Sequence, residues 1–390
     1  MSQLKGCATV VCDSVTSDPY PVRAARLRIP GSQKLVAAGE LTGGVLLATG
    51  EDETDSENNR TLFLLTEKNG AELLTALRGH FRANDRIVAR GDHWSYTVAG
   101  SFNRKWGALF IAGQGAVTSP ASFVELPLNG PNIWLPLEGD SPRGLYVSQG
   151  GERSVLLDVT PAGIQHRWTL NDRVEIYPRC WTAQVLSDGA LAVLSIDGPL
   201  NGPRTRLMLR LFDTNELSDK PTAEYPLQGK EQFNEIASAI SPTGMLAIAA
   251  ETSKGIQAAV INPRDAANGI AWRQTGTAGE APSYVRVMAT ADDFTVTWNE
   301  HHRSTMDLRA RSITATSVEL LATTVASIPH RNDDRVPFIA LSHGSDVLFV
   351  WDAGDVNLRQ LPRPLSGYQL FADLRAVLCR PFVDLHSAPP

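Results

Sequence analysis

The sequence predicts an all-β fold made of repeated antiparallel sheets, because one motif recurs about every fifty residues along the 390-residue chain. Each copy has a turn rich in Gly, Asp or Ser, followed by a short apolar strand and then, except at Gly100, a polar and usually acidic residue. The closing positions of the seven copies are Glu51, Gly100, Gln149, Asp197, Glu251, Glu300 and Asp352. A period of this size with several short strands inside it is typical of a propeller. We therefore predict a seven-bladed β-propeller of four-stranded antiparallel blades.

Each repeat reads as four strands. The first is small and apolar, the second is the motif run, the third is strongly β-prone, and the fourth is amphipathic. Apolar runs are expected for the inner strands, which are covered on both faces by neighbouring blades, whereas outer strands should alternate. Helix signals are scarce: Glu67–Gly79 has a partly helical composition, and Tyr368–Leu378 fits a short helix or a further strand. The predicted first strands are Leu35–Leu41, Arg86–Ala89, Ile133–Leu137, Thr182–Leu186, Ile236–Ile240, Tyr284–Ala289 and Pro337–Leu341.

The last repeat shows only three strands before Pro362, which leaves one strand position open. A ring closes without an exposed edge when an N-terminal strand pairs into the last blade, and the alternating segment Val22–Ile29 is the best candidate. The predicted domain organisation is a tail at 1–21, the propeller at 22–371 and a C-terminal extension at 372–390.

Composition excludes several classes of function. The formal charge is −6 and no run of five Lys or Arg occurs, so nucleic acid is not an expected partner. No stretch of eighteen apolar residues predicts a membrane helix, and the first residues do not form a secretory signal. The expected location is cytoplasmic, or secreted if a signal was removed before residue 1. The cysteines at Cys7, Cys12, Cys180 and Cys379 do not decide between these compartments.

The repeats resemble those of WD40-like propellers in part. Arg78–Gly79–His80 precedes one blade, and the turn beginning at Ile240-Ser-Pro-Thr-Gly resembles the turn between the first two strands in that family. The only Trp-Asp pair, Trp351–Asp352, closes a second strand here, whereas the family places it on the third. The resemblance covers the general repeat and implies the fold alone.

A second resemblance is to sialidases, which are six-bladed propellers. Arg28–Ile29–Pro30 is similar to their Arg-Ile-Pro motif, in which the arginine helps to bind a substrate carboxylate, and Leu46–Glu51 is similar to the strand that follows. The Asp-box pattern of the family is missing, and seven repeats fit it badly. Without that relationship, Arg28 is an exposed residue of the closing strand.

The closing residues of the repeats are the candidate binding site. If the register places them on one face, they form a ring of carboxylates there, made of Glu51, Asp197, Glu251, Glu300 and Asp352 together with Gln149. Trp298 and Trp351 precede two of them, and Trp181 and Tyr284 begin first strands. Carboxylates beside aromatic rings suit sugars, basic peptides or a hydrated divalent cation. The alternative interpretation is that these acids only close turns by accepting backbone N–H bonds.

A catalytic version of this site divides the work between two carboxylates that flank a glycosidic bond, one protonated and one ionised. Glu300 and Asp352, from adjacent repeats, are the best pair, with Glu251 as a third candidate. His301 belongs to the dense titratable cluster Glu300–Arg303. Neighbouring residues of a strand point to opposite faces, so His301 and His302 are not expected to share a metal.

Two functions follow from these patterns. The first is a non-catalytic interaction module that binds a protein or peptide on the channel face, with a basic partner favoured by the negative charge. The second is a carbohydrate-active propeller (a glycoside hydrolase, lyase or lectin) that uses the rim carboxylates and tryptophans. No nucleophile elbow, phosphate loop or dinucleotide fingerprint is present. No cofactor is predicted beyond a divalent cation that the channel could accommodate.

Overall fold

The structure is a computed structural model. It describes residues 9–14, 23–28, 34–50, 59–66, 70–81, 85–102, 104–127, 132–139, 141–150, 153–170, 178–197, 205–215, 218–228, 231–276, 282–290, 293–318, 322–329, 338–343, 346–352 and 356–362. The described residues form β-strands and two short 3-10 helices, at Pro178–Cys180 and Pro263–Asn268. None of the helices in these ranges has the length and apolar character needed to cross a membrane.

The strands are grouped here by sheet. The N-terminal pair is β1 (Thr9–Ser14) and β2 (Arg23–Arg28). The first blade contains β3 (Lys34–Leu41), β4 (Gly44–Gly50), β5 (Arg60–Thr66) and β6 (Gly70–Leu77). The second blade contains β7 (His80–Phe81), β8 (Arg86–Arg90), β9 (His93–Phe102), β10 (Lys105–Gln114), β11 (Val117–Thr118) and β12 (Ser122–Glu125). The third blade contains β13 (Asn132–Leu137), β14 (Arg143–Gly150), β15 (Arg153–Thr160) and β16 (Gly163–Leu170).

The second half of the chain continues the pattern. The fourth blade contains β17 (Trp181–Val185), β18 (Leu191–Asp197), β19 (Arg206–Phe212) and β20 (Ala223–Gln228). The fifth blade contains β21 (Phe233–Ile240), β22 (Leu246–Thr252), β23 (Gly255–Ile261) and β24 (Arg273–Gln274). The sixth blade contains β25 (Ser283–Ala289), β26 (Phe294–His301), β27 (Thr305–Ile313) and β28 (Thr323–Pro329). The last strands are β29 (Phe338–His343), β30 (Asp346–Asp352) and β31 (Val356–Pro362).

The fold is an all-β propeller with four-stranded antiparallel blades, as the repeat predicts. In five blades the hydrogen-bonded order is the chain order. The second blade keeps the same four positions but splits two of them, since β7 and β8 both pair with β9, and β11 and β12 both pair with β10.

A composite sheet joins the two ends of the described chain, in the order β1-β2-β31-β30-β29. β2 pairs antiparallel with β31, which confirms the closing strand predicted at Val22–Ile29. The prediction of seven blades needs correction: six blades consist of consecutive strands, and the remaining repeat supplies only three. The N-terminal strands β1 and β2 complete the sheet of this last repeat, because β31 would otherwise present an unpaired edge. β1 lies within the residues that the sequence assigned to a tail.

The first strands of the six blades, together with β29, lie around a central space, called the channel below. Most neighbouring members of this set are in contact, for example β3 with β8, β17 with β21, and β29 with both β25 and β3. The core lies between blades, where apolar side chains of adjacent sheets pack together. Burial follows the expected gradient: all of β18 is buried, whereas β12 alternates.

Short turns connect the first and second strands, and their sequences explain their shape. In the fourth blade, Gly189 has φ +85° and the Asp188 carboxylate accepts the Ala190 N–H at 3.1 Å. In the fifth blade, Gly244 has φ +84° and the Ser241 hydroxyl accepts the Met245 N–H at 3.1 Å. Only glycine adopts positive φ without a steric penalty, so the Gly of each turn is required by the backbone.

Two sequence expectations about local structure are wrong within the described ranges. Most of Glu67–Gly79, which has a partly helical composition, forms the outer strand β6 because it pairs with β5. The last strand of the sixth repeat is β28, and the sequence pattern of an amphipathic strand over Ser317–Thr323 places it several residues too early. The segment Tyr368–Leu378 lies outside the described residues.

Candidate functional site

The closing residues of the repeats occupy equivalent ends of the second strands. Asp197 and Asp352 are the last residues of β18 and β30, and Glu251 and Glu300 lie one residue before the ends of β22 and β26. In the fifth blade this end pairs with the start of the first strand, as Glu251 with Glu235 shows. Glu51 lies outside the described residues.

Asp197 is held inside its own blade. Its carboxylate accepts a bond from Arg210 Nη2 at 2.6 Å and another from the Ser195 hydroxyl at 2.6 Å. Arg210 Nη1 also donates to Ser195 Oγ at 2.6 Å. Asp197 is 7% exposed and Arg210 is 2% exposed, so the network is buried. Because the Asp197 carboxylate is used to neutralise a buried arginine, it acts as part of the blade.

The three candidate catalytic carboxylates each have a partner in the fold. Glu300 Oε2 lies 3.1 Å from Arg309 Nε on the adjacent strand. Glu251 accepts a bond from the Asn234 amide at 3.2 Å. Asp352 accepts the Leu35 backbone N–H at 3.0 Å, and this bond ties β30 to β3 of the first blade. These contacts agree with the alternative interpretation, in which acids at strand ends satisfy nearby donors.

The candidate stacking residues lie in the core. Trp181, Trp298 and Trp351 are 2%, 1% and 7% exposed, and each belongs to a cluster of buried apolar residues. Their rings fill the space between adjacent sheets, so they offer no face to a sugar in this conformation. His301 is half-buried, and its Nε2 atom lies 2.9 Å from the Ser283 hydroxyl.

Tyr284, the aromatic candidate at the start of β25, lies beside a charged group. Its ring centroid lies 4.0 Å from the guanidinium carbon of Arg286, a cation–π contact. Tyr284 has φ +58°, an unfavourable value for a bulky residue, at a β-bulge between Ser283 and Arg286. The bulge thus lies where the Tyr284 ring contacts the Arg286 guanidinium group.

Arg286 forms an ion pair that spans two blades. Its Nη1 atom donates to Glu235 Oε1 at 2.9 Å. The Glu235 side chain is 2% exposed, whereas 41% of the Arg286 side chain is exposed even though β25 is an inner strand. The exposed part therefore faces the channel. Burial acts to lower the pKa of Arg286, but Tyr284 and the Glu235 carboxylate outweigh it and raise that pKa above its usual value.

A second arginine faces the channel from the second blade. Arg86 opens β8, and its Nη2 atom donates to Glu138, which follows β13 of the next blade. The side chains of Arg86 and Glu138 are 30% and 39% exposed. Burial, and after it the like charge of Arg286, lower the pKa of Arg86 to about 10. The two arginines are therefore close enough to repel each other across the channel.

The sequence analysis did not single out Arg86, Glu138, Glu235 or Arg286 as functional residues. A signal for two of them was present, since Arg86 and Arg286 lie within first strands that are otherwise small and apolar. A charged residue in an inner strand needs a partner or a water-filled space, and the channel supplies both.

The described residues contain no group of three or more His, Cys, Asp or Glu side chains arranged to hold a metal ion.

Comparison with known proteins identifies the fold and no closer relationship. No protein-family model and no curated protein matches the chain. The structure of hydrazine synthase from Kuenenia stuttgartiensis is similar with a TM-score of 0.51 and 8% identity, covering 85% of this chain and 96% of that chain. The β-propeller domain of the Trilobed protease from Pyrococcus furiosus has a TM-score of 0.50 and 8% identity, covering 83% and 92%.

A third similar structure is Sqt1 from Chaetomium thermophilum, bound to the N-terminus of the ribosomal protein L10. It has a TM-score of 0.46 and 13% identity, and the match covers 84% of this chain and 97% of that chain. At these identities the likeness extends to the propeller fold alone.

Proposed function

We propose that the protein is a non-catalytic binding module that holds a protein or peptide segment at the channel face of the propeller. The observation that carries the proposal is the set of charged side chains presented to the channel: Arg86, Glu138 and Arg286 each keep about a third or more of their surface exposed. Charges fixed by partners on a rigid wall favour selective recognition of a complementary ligand.

The carbohydrate-active alternative has less support. It needs two carboxylates free to act as acid and base, and aromatic rings free to stack on a sugar. Glu300 and Asp352 instead serve Arg309 and the Leu35 N–H, and Trp298 is buried.

The proposal includes a closed ring in which the composite sheet takes the place of a seventh blade. This arrangement is supported by the contacts of β29 with β25 on one side and with β3 on the other. A closed ring holds the channel walls at fixed separation, which a binding site requires. A cytoplasmic location remains the expectation.

A defined peptide library tests the function. Saturable binding of library members to the full chain, measured by fluorescence anisotropy, should fall in a channel variant that combines Arg286→Gln with Arg86→Gln. Arg264→Gln is the matched control, because Arg264 pairs with Asp188 on the exposed outside of the molecule. Binding of a glycan, together with its cleavage and the loss of cleavage in Glu300→Gln, would favour the carbohydrate function instead. The absence of any peptide binding would contradict the proposal.

A further inference from the structure

Arg86 and Arg286 occupy matching places on opposite walls of the channel. Arg86 pairs with Thr97 and Arg286 pairs with Thr297, and these threonines hold the same position relative to Gly100 and Glu300, the closing positions of their repeats. Around the channel, β8 and β25 are separated by β3 and β29 on one side and by β13, β17 and β21 on the other. The two arginines therefore lie at the same height on inner strands from opposite sides of the channel.

Both guanidinium groups keep unused donors. A guanidinium has five N–H groups. Among the described residues, Arg86 donates only to Glu138, through Nη2. Arg286 uses Nη1, which donates to Glu235 and to the Val285 carbonyl oxygen at 2.7 Å. Tyr284 also accepts a side-chain hydrogen bond from Arg286. The remaining N–H groups of Arg286 and the Nε and Nη1 atoms of Arg86 are left for a ligand.

Tyr284 fixes the orientation of Arg286. Its ring covers one face of the guanidinium, and Glu235 holds Nη1 from the neighbouring blade. The positive φ of Tyr284 is an unfavourable conformation, which persists only where the surrounding structure enforces it. Such strain is common at ligand-binding positions. The guanidinium edge that remains accessible is thus pre-oriented toward the channel.

We infer that the channel binds a carboxylate group between Arg86 and Arg286, and that this carboxylate belongs to an acidic side chain or the C-terminus of the bound peptide. A carboxylate accepts paired bonds from a guanidinium edge, and its single negative charge separates two like charges that otherwise repel. Each arginine already forms an ion pair with one glutamate. A singly charged group therefore fits this site better than a doubly charged phosphate. The inference rests on the proposed peptide-binding function and names the chemistry of the ligand. That ligand is acidic, whereas the net charge of the protein favours a basic partner.

Labelled peptides provide the test. Three fluorescein-labelled peptides alternate Gly with Glu, Gln or Lys, and each is made with a free and with an amidated C-terminus. The Glu peptide with a free C-terminus should bind the full chain about tenfold more tightly than the amidated Gln peptide, which has no carboxylate, and Arg86→Gln or Arg286→Gln should remove this difference. Arg264→Gln should leave it unchanged. A preference for the Glu over the Gln peptide when both are amidated assigns the carboxylate to a side chain, and tighter binding of the free than of the amidated Gln peptide assigns it to the chain terminus.

Glu138→Gln separates a binding role from a structural one. This variant removes the carboxylate that competes for Arg86, so it should tighten binding of the Glu peptide severalfold. Weaker binding in Glu138→Gln, equal binding of the free Glu peptide and the amidated Gln peptide, or a preference for the Lys peptide would overturn the inference while leaving the proposed function intact. If no peptide binds but acetate raises the melting temperature of the protein and not that of Arg286→Gln, the carboxylate site stands and the peptide function fails.

Discussion

At the scale of single residues, the best-defined polar cluster is a buried network between the first two blades. Arg60 Nε donates to Asp85 Oδ2 at 2.5 Å, and the Tyr96 hydroxyl donates to the same oxygen at 2.6 Å. The side chains of Arg60 and Asp85 are 3% and 0% exposed. Charges removed from water to this extent depend on each other, because either one alone would be buried without compensation.

Replacement of Arg60 by Met should therefore destabilise the protein by about 3–5 kcal/mol, since it leaves the Asp85 carboxylate buried and without its counter-charge. Urea unfolding followed by tryptophan fluorescence measures the change. Arg264→Met is the control: the side chains of Arg264 and its partner Asp188 are 46% and 55% exposed, and loss of a solvated pair should cost less than about 1 kcal/mol. Equal effects of the two substitutions would show that burial does not determine the strength of the Arg60 pair.

Asp85 also predicts a pH dependence of stability. Burial raises the pKa of Asp85 above its ordinary value of 3.8, and Arg60 and Tyr96 offset only part of that effect. The folded state thus holds the proton more tightly than the unfolded chain, so the contribution of Asp85 to stability falls as the pH rises from about 3.8 through the folded-state pKa. The unfolding free energy of Asp85→Asn minus that of the parent protein should therefore increase as the pH rises over this range. A difference that is constant with pH, or that shifts the other way, would contradict the assignment.

At the scale of strands and blades, the contact between β3 and β8 is close because Gly39 has no side chain. A Cβ atom at Gly39 would lie 2.3 Å from Ile87 Cγ2 in the next blade. A methyl group there must push the two inner strands apart.

Gly39→Ala should accordingly lower the free energy of unfolding by about 1–3 kcal/mol. Gly43→Ala is a matched control in the turn at the end of the same strand, because a Cβ there meets no atom within 4 Å. Thermal and chemical unfolding of the two variants give the comparison. The packing argument fails if the two substitutions have the same effect.

Strand positions were predictable because burial on both faces leaves a direct trace in the sequence. The second strands are continuous apolar runs, and the closing strand alternates, so both are found where the pattern places them. The strand β6 was not predictable from its partly helical composition, because its pairing with β5 overrides local propensity.

The candidate site was less predictable, for a related reason. Spacing along the chain places Glu300 and Trp298 next to a turn. It does not show which of the two side chains faces a neighbouring blade and which faces solvent. Arg86 and Arg286 lie far apart in sequence, and only the arrangement of the first strands around the channel brings them together.

At the scale of the whole molecule, the composite sheet connects the two ends of the described chain. β2 lies between β1 and β31, so the last repeat depends on N-terminal strands for its outer edge. The Asp352 bond to the Leu35 N–H reinforces the same junction.

Deletion of residues 1–28 should leave β31 as an unpaired edge, which favours association of molecules through that edge. Size-exclusion chromatography should show oligomers, and the melting temperature should fall by several degrees. Deletion of residues 1–8 retains both β1 and β2 and serves as the control. A monomer with unchanged stability after deletion of residues 1–28 would mean that the composite sheet does not support the ring.

The composite sheet also makes the order of biosynthesis matter. Ribosomes produce β2 early, but β31 begins only at Val356, and at about 5–20 residues per second the interval is on the order of tens of seconds. During that time β2 has no partner on the side that β31 will occupy. Three of its six residues are arginine, and charged strands resist pairing with the wrong neighbour. A polypeptide released before residue 356 would never complete this sheet, so the fold distinguishes full-length products from truncated ones.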